Sequence, residues 1–146
     1  MSSQKSISFW WNWLVCVTAV VMFFGLSMVL LPGLIQQFFS LALYGTPFKL
    51  STFDAPAITY LTLVHGVLGA TMFGWGVGLL SILFDSFRSL RRSGWWGIAL
   101  SVVAWFIPDT LFSLWTGFWQ NAALNAGFAM LFLIPLAATY RAFRSE

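Results

Sequence analysis

Residues 57–84 read AITYLTLVHGVLGATMFGWGVGLLSILF, an unbroken stretch without Asp, Glu, Lys or Arg. As a helix rising 1.5 Å per residue it reaches about 42 Å, more than the ~30 Å hydrocarbon core of a bilayer, so it tilts or projects from the membrane. Asp54 and Pro56 just before it supply an N-cap and a proline for the first helical turn.

Three further runs resemble it, over residues 10–31, 95–119 and 122–140. The chain is 60% hydrophobic and 8% charged, against roughly 25% charged residues in soluble domains. The pattern therefore predicts an all-α integral membrane protein, a bundle of four transmembrane helices in one domain over residues 1–146. The run from Phe9 to Leu31 is longer than the ~7–15-residue core of a signal peptide and lacks a small-x-small cleavage site, so it reads as a span. Pro32-Gly33 interrupts it, because proline breaks the helical hydrogen-bond ladder. Beyond that break, residues 34–44 place Leu34, Ile35, Phe38 and Leu41 at helical spacing but are too few to span. They form either a short interfacial helix or a kinked continuation of the first span.

Orientation follows from where the basic residues lie. Lys5, Arg88, Arg91, Arg92, Arg141 and Arg144 belong to the amino terminus, the middle loop and the carboxyl terminus, and only Lys49 belongs to the other two loops. That asymmetry predicts both termini on the cytoplasmic side of a plasma or inner membrane. Trp10, Trp11 and Trp13, Trp95 and Trp96, and Trp115 and Trp119 are expected in aromatic belts at the interfaces. The net charge of +3 is explained by this topology. A nucleic-acid partner is not expected, since the basic residues form no clustered face. One histidine and one cysteine, Cys16, leave no metal centre of the usual Cys/His kind, and Cys16 reads as a small core residue. No cofactor is indicated by any motif.

Two helix faces stand out. The second span carries Gly66, Ala70, Gly74 and Gly78 at a strict four-residue interval, which places them on one side of a helix. In lipid, where the hydrophobic drive between helices is weak, small residues let backbones approach closely, so this groove is expected to pack on another helix, in this chain or in a neighbour. The third span carries Gly97, Ser101, Trp105, Asp109, Ser113 and Gly117 along one stripe. Asp109 is the chemically loaded member, because a central Asp costs about 2.5–3.5 kcal/mol to insert and so faces a partner or a cavity. Counting along the helices puts His65 and Asp109 at similar heights, about 4–8 Å to the outer side of the span centres. Ser113 lies one turn further, and Asn125 enters from the fourth span. His65, Asp109, Ser113 and Asn125, with Trp105, are thus the expected polar site.

Three functions fit these features. The first is a small non-catalytic accessory or assembly subunit that docks on another membrane protein, or on its own copies, through the Gly66/Ala70/Gly74/Gly78 groove. The second is a binder or carrier of an apolar small molecule (a lipid, quinone, pigment or isoprenoid) oriented by His65 and Asp109. The third is a membrane enzyme using His65 and Asp109 as an acid/base pair. The last lacks a second buried acid and a nucleophile arrangement, and the subunit is preferred because it requires packing alone.

Overall fold

A computed structural model of the protein describes residues 2–144, with side chains from residue 6 onward, so the side chain of Lys5 lies outside the described residues. Among these the chain is helical throughout, with no strand: α1 Ser2–Leu30, α2 Pro32–Tyr44, α3 Ala55–Ile82, α4 Arg92–Trp115 and α5 Trp119–Phe143. A short 3₁₀ turn covers Leu50–Thr52, and a π-helical turn, Leu83–Phe87, extends α3. Four helices are long and apolar enough to cross a membrane: Ser6–Leu30, Ala55–Phe87, Arg92–Trp115 and Trp119–Phe143. The architecture is consistent with a multi-pass membrane protein built as a bundle.

Helix ends follow local chemistry. Asp54 Oδ1 accepts a hydrogen bond from the Ala57 backbone N–H at 2.9 Å, the expected N-cap of α3. At the other end of α2, Gly45 adopts φ +72° and donates its N–H to the Leu41 carbonyl. The α4–α5 connection differs from expectation. The third span was expected to run to Trp119 and the fourth to begin at Ala122, yet α4 stops at Trp115. Gly117 is left-handed (φ +84°), its N–H reaches the Leu114 carbonyl, and the Phe118 N–H reaches that of Ser113 at 2.8 Å. This is a Schellman stop, in which the glycine takes the conformation that a side chain disfavours. Gln120 and Asn121 accordingly sit in the first turn of α5.

Two compact units make up the chain. The first joins residues 1–19 and 77–146. Leu14, Leu79, Leu83, Phe87, Ile98, Val102, Phe132, Leu136 and Phe143 are its fully buried large side chains. Tryptophans cross-link its helices as well as marking their ends. The indole N–H of Trp11 donates to the Leu83 carbonyl at 2.9 Å, that of Trp95 to Leu136 at 2.9 Å, and that of Trp13 to Leu131 at 3.0 Å. Leu131 is the carbonyl that Pro135 inside α5 deprives of its intrahelical donor four residues on, and in an apolar setting a neighbouring helix must supply the replacement. Trp13→Phe is expected to cost about 1 kcal/mol. In a Pro135→Ala background the helix regains its own donor and the same change should cost markedly less. A double-mutant cycle of unfolding in detergent measures the difference.

The second unit covers residues 20–76. In it α2 turns back over the end of α1, because Phe24 rests against Phe38 and Phe39 with ring centroids 5.8 and 6.5 Å apart. A straight continuation of the first span would hold these residues about 20 Å apart at 1.5 Å per residue, so the chain bends sharply at Leu31-Pro32. Ser40, fully buried, donates to the Thr46 carbonyl and accepts the Leu50 N–H, which pins the following loop beneath α2. The α1–α3 contact is glycine on glycine. A Cβ added at Gly25 lies 2.7 Å from the Gly69 carbonyl oxygen, one added at Gly69 meets the Gly25 carbonyl, and one added at Gly76 meets Met22.

Candidate functional site

The small-residue stripe of α3 is open. Ala70, Gly74 and Gly78 are exposed and Gly66 is half-buried. A Cβ added at Gly66, Gly74 or Gly78 has nothing within 4 Å. The chain's own close helix contact lies elsewhere: Gly69 and Gly76 point roughly 150° away from Gly74 at 100° per residue, and they receive Gly25 and Met22 of α1. Thus α3 has two small-residue faces, one filled internally and one bare. The filled face escaped the reading of the sequence although Gly69 and Gly76, seven apart, carried the signal. Bulky apolar side chains, Tyr60, Leu63 and Val67, are exposed beside the bare stripe, as suits a surface in contact with lipid or with another apolar helix.

His65 belongs to the second unit. Its ring stacks on Phe39 of α2 at a centroid distance of 5.0 Å and an angle of 9°, one turn beyond a Gln36–Thr62 hydrogen bond of 2.8 Å. Its Nδ1 is buried without a hydrogen-bond partner.

Asp109, Ser113 and Asn125 belong to the first unit, on the facing surfaces of α4 and α5. Asp109 and Ser113, four apart, come together as expected. Ser113 is buried, and its hydroxyl donates to the Asp109 carbonyl at 2.7 Å and lies 3.3 Å from Asp109 Oδ1. Asn121, absent from the expected set, completes the cluster. Its amide donates one hydrogen to Asp109 Oδ1 at 3.1 Å and the other to Ser113 Oγ at 2.8 Å. This arrangement depends on the Schellman stop, which brings the first turn of α5 back against the last turns of α4.

Asn125, one turn along α5 from Asn121, is 5% exposed. Its Nδ2 and the Thr110 hydroxyl are buried without hydrogen-bond partners. Trp105 is half-buried on α4, its ring 6.4 Å from that of Phe106. An amide and a hydroxyl that share one carboxyl group satisfy polar atoms that an apolar helix pair would otherwise leave unpartnered, and the same contacts fix the register of α4 against α5.

Among the described residues no group of three or more His, Cys, Asp or Glu side chains is placed to hold a metal ion. Cys16, expected in the core, is exposed on α1. Compared with known proteins, the chain matches no family model, no curated protein and no solved structure.

Proposed function

We propose that the protein crosses a plasma or inner membrane four times with both termini cytoplasmic, and that it is a small non-catalytic subunit docking on a transmembrane helix of another protein. The topology rests on four apolar helices joined by segments whose basic residues fall almost wholly at one end. The docking surface is the bare face of α3. The observation that carries it is the open space above Gly66, Gly74 and Gly78, on a helix whose other glycine face is already packed. In lipid, association draws on van der Waals contact between closely approaching backbones, and this face offers such contact without rearranging the fold.

A second reading, a carrier of an apolar molecule with a polar group, is favoured by the buried amide of Asn125 and hydroxyl of Thr110, which lack partners. An enzymatic reading needs His65 and Asp109 to act as one site. Each has its own neighbours within a different compact unit, so nothing further supports that reading.

One experiment separates the two leading functions. The tagged full chain is captured from its native membrane after photo-cross-linking from a reactive residue at Val77. A single cross-linked partner should be recovered. Gly74→Leu, which holds an approaching helix away, should reduce its yield at least tenfold, while Leu111→Ala on the exposed side of α4 and Asn125→Leu should leave it unchanged. A partner indifferent to Gly74→Leu overturns the docking face. A bound small molecule seen by native mass spectrometry and lost only in Asn125→Leu replaces the subunit reading with the carrier. Cross-linking only to a second copy makes the partner the protein itself.

A further inference from the structure

The arginines at the end of the first unit that carries the π-helical turn are not equivalent. Arg88 lies over the ring of Trp11, 5.1 Å from its centroid, a cation–π arrangement. Arg91 pairs with Asp85 at 3.7 Å. Arg92 and Arg144, the first from the start of α4 and the second from the end of α5, have no ion pair or ring contact among the described residues. Both line one shallow cleft, whose remaining walls are Trp95, Trp96, Tyr140 and Phe143.

The aromatic walls are held in place. Trp95 is fixed by its hydrogen bond to the Leu136 carbonyl, and its ring lies 5.0 Å from Trp96 and 5.3 Å from Tyr140. Phe143 is buried against Phe87 at 4.7 Å. The cleft thus combines two guanidinium groups that have no ion pair among the described residues with a preformed aromatic floor at the end of a helix pair.

We propose that this cleft holds an anionic phospholipid, its phosphate between Arg92 and Arg144 and its glycerol and upper acyl carbons against Trp96 and Tyr140. Arginine suits this role because its planar fork matches phosphate oxygens in a bidentate manner. Tryptophan and tyrosine suit it because their amphipathic rings favour the headgroup level. The proposal rests on the multi-pass reading with this end cytoplasmic, where anionic lipid is concentrated. It is independent of the docking face on α3. A free phosphate ion would meet the same arginines but would leave the aromatic floor unused.

The test uses the full chain in vesicles of equal parts phosphatidylcholine and phosphatidylglycerol, followed by native mass spectrometry of the gently released protein. One phosphatidylglycerol should remain bound in preference to phosphatidylcholine. Arg92→Gln with Arg144→Gln should weaken that retention about 20- to 30-fold, the loss expected for two surface arginines. The charge-matched pair Arg91→Gln with Arg141→Gln should weaken it far less. Equal retention of the two lipids, or equal effects of the two pairs, overturns the proposal. Displacement of the lipid by inorganic phosphate in the buffer assigns the site to a soluble phosphate and overturns the lipid assignment. Absence of insertion into the vesicles, seen as full protease accessibility, strikes the multi-pass reading instead.

Discussion

Gly69→Ala is expected to destabilise the protein by about 3 kcal/mol, a cost at the upper end for a single added methyl group in a packed interior. The new Cβ would lie against the Gly25 carbonyl and 2.6 Å from Met28 Cβ. Neither is the free end of a flexible side chain, so α1 and α3 have to move apart. Gly25→Ala should behave alike, since its Cβ would lie 2.7 Å from the Gly69 carbonyl oxygen and 3.0 Å from both Met72 Cβ and the Phe73 nitrogen. Gly66→Ala, three residues from Gly69 on the bare face, should have the opposite sign. Nothing lies within 4 Å of its added Cβ, and alanine is the better helix former by up to about 1 kcal/mol. Unfolding midpoints in a graded mixture of mild and denaturing detergent measure all three. Similar midpoints for Gly69→Ala and Gly66→Ala would show that the two faces of α3 are not distinct.

Gly94→Ala is the second substitution with a large expected effect, again about 2–3 kcal/mol. Gly94 packs directly on the π-helical turn. A Cβ there would lie 2.5 Å from the Phe87 nitrogen, 2.7 Å from the Ser86 carbonyl carbon and 2.8 Å from Ser86 Cβ. The turn has little freedom to yield. The Arg88 and Arg91 N–H groups are committed to the Leu83 and Ser86 carbonyls, five residues back in each case, Phe87 is fully buried, and Leu90 is already in the left-handed region at φ +58°. Shifting the turn moves Leu83, whose carbonyl accepts the Trp11 indole. The substitution should therefore lower the unfolding midpoint and also shift tryptophan emission in the folded state. Gly97→Ala, one helical turn along α4, is the comparison. Its Cβ would stand 3.5 Å from Ile82 Cδ1, an ordinary contact. A Gly94→Ala protein as stable as Gly97→Ala would contradict the close packing of α4 on the turn.

The four apolar spans and the cap at Asp54 were legible because each rests on composition or on contacts within one turn of chain. The Asp109–Ser113 contact was legible for the same reason, being an i, i+4 pair on one helix. Asn121 was missed because Gln120-Asn121 reads naturally as turn residues, whereas the decisive residue was Gly117, four positions earlier. Gly69 and Gly76 were missed because a four-residue glycine interval drew attention from a seven-residue one, although both keep to one helix face. Counting residues along a span gives height above the membrane centre and carries no direction around the helix axis. Equal heights for His65 and Asp109 are therefore a statement of depth alone. The return of α2 over α1 depends on rings of Phe24, Phe38 and Phe39 meeting across a proline break, and no local pattern encodes such a meeting.

The bond from Trp13 to Leu131 joins positions 118 residues apart. Its acceptor is the carbonyl that Pro135 leaves without a helical donor. A single indole therefore ties two helices that are remote in sequence and also mends the break in one of them, so the proline that would weaken α5 on its own becomes its point of attachment to α1.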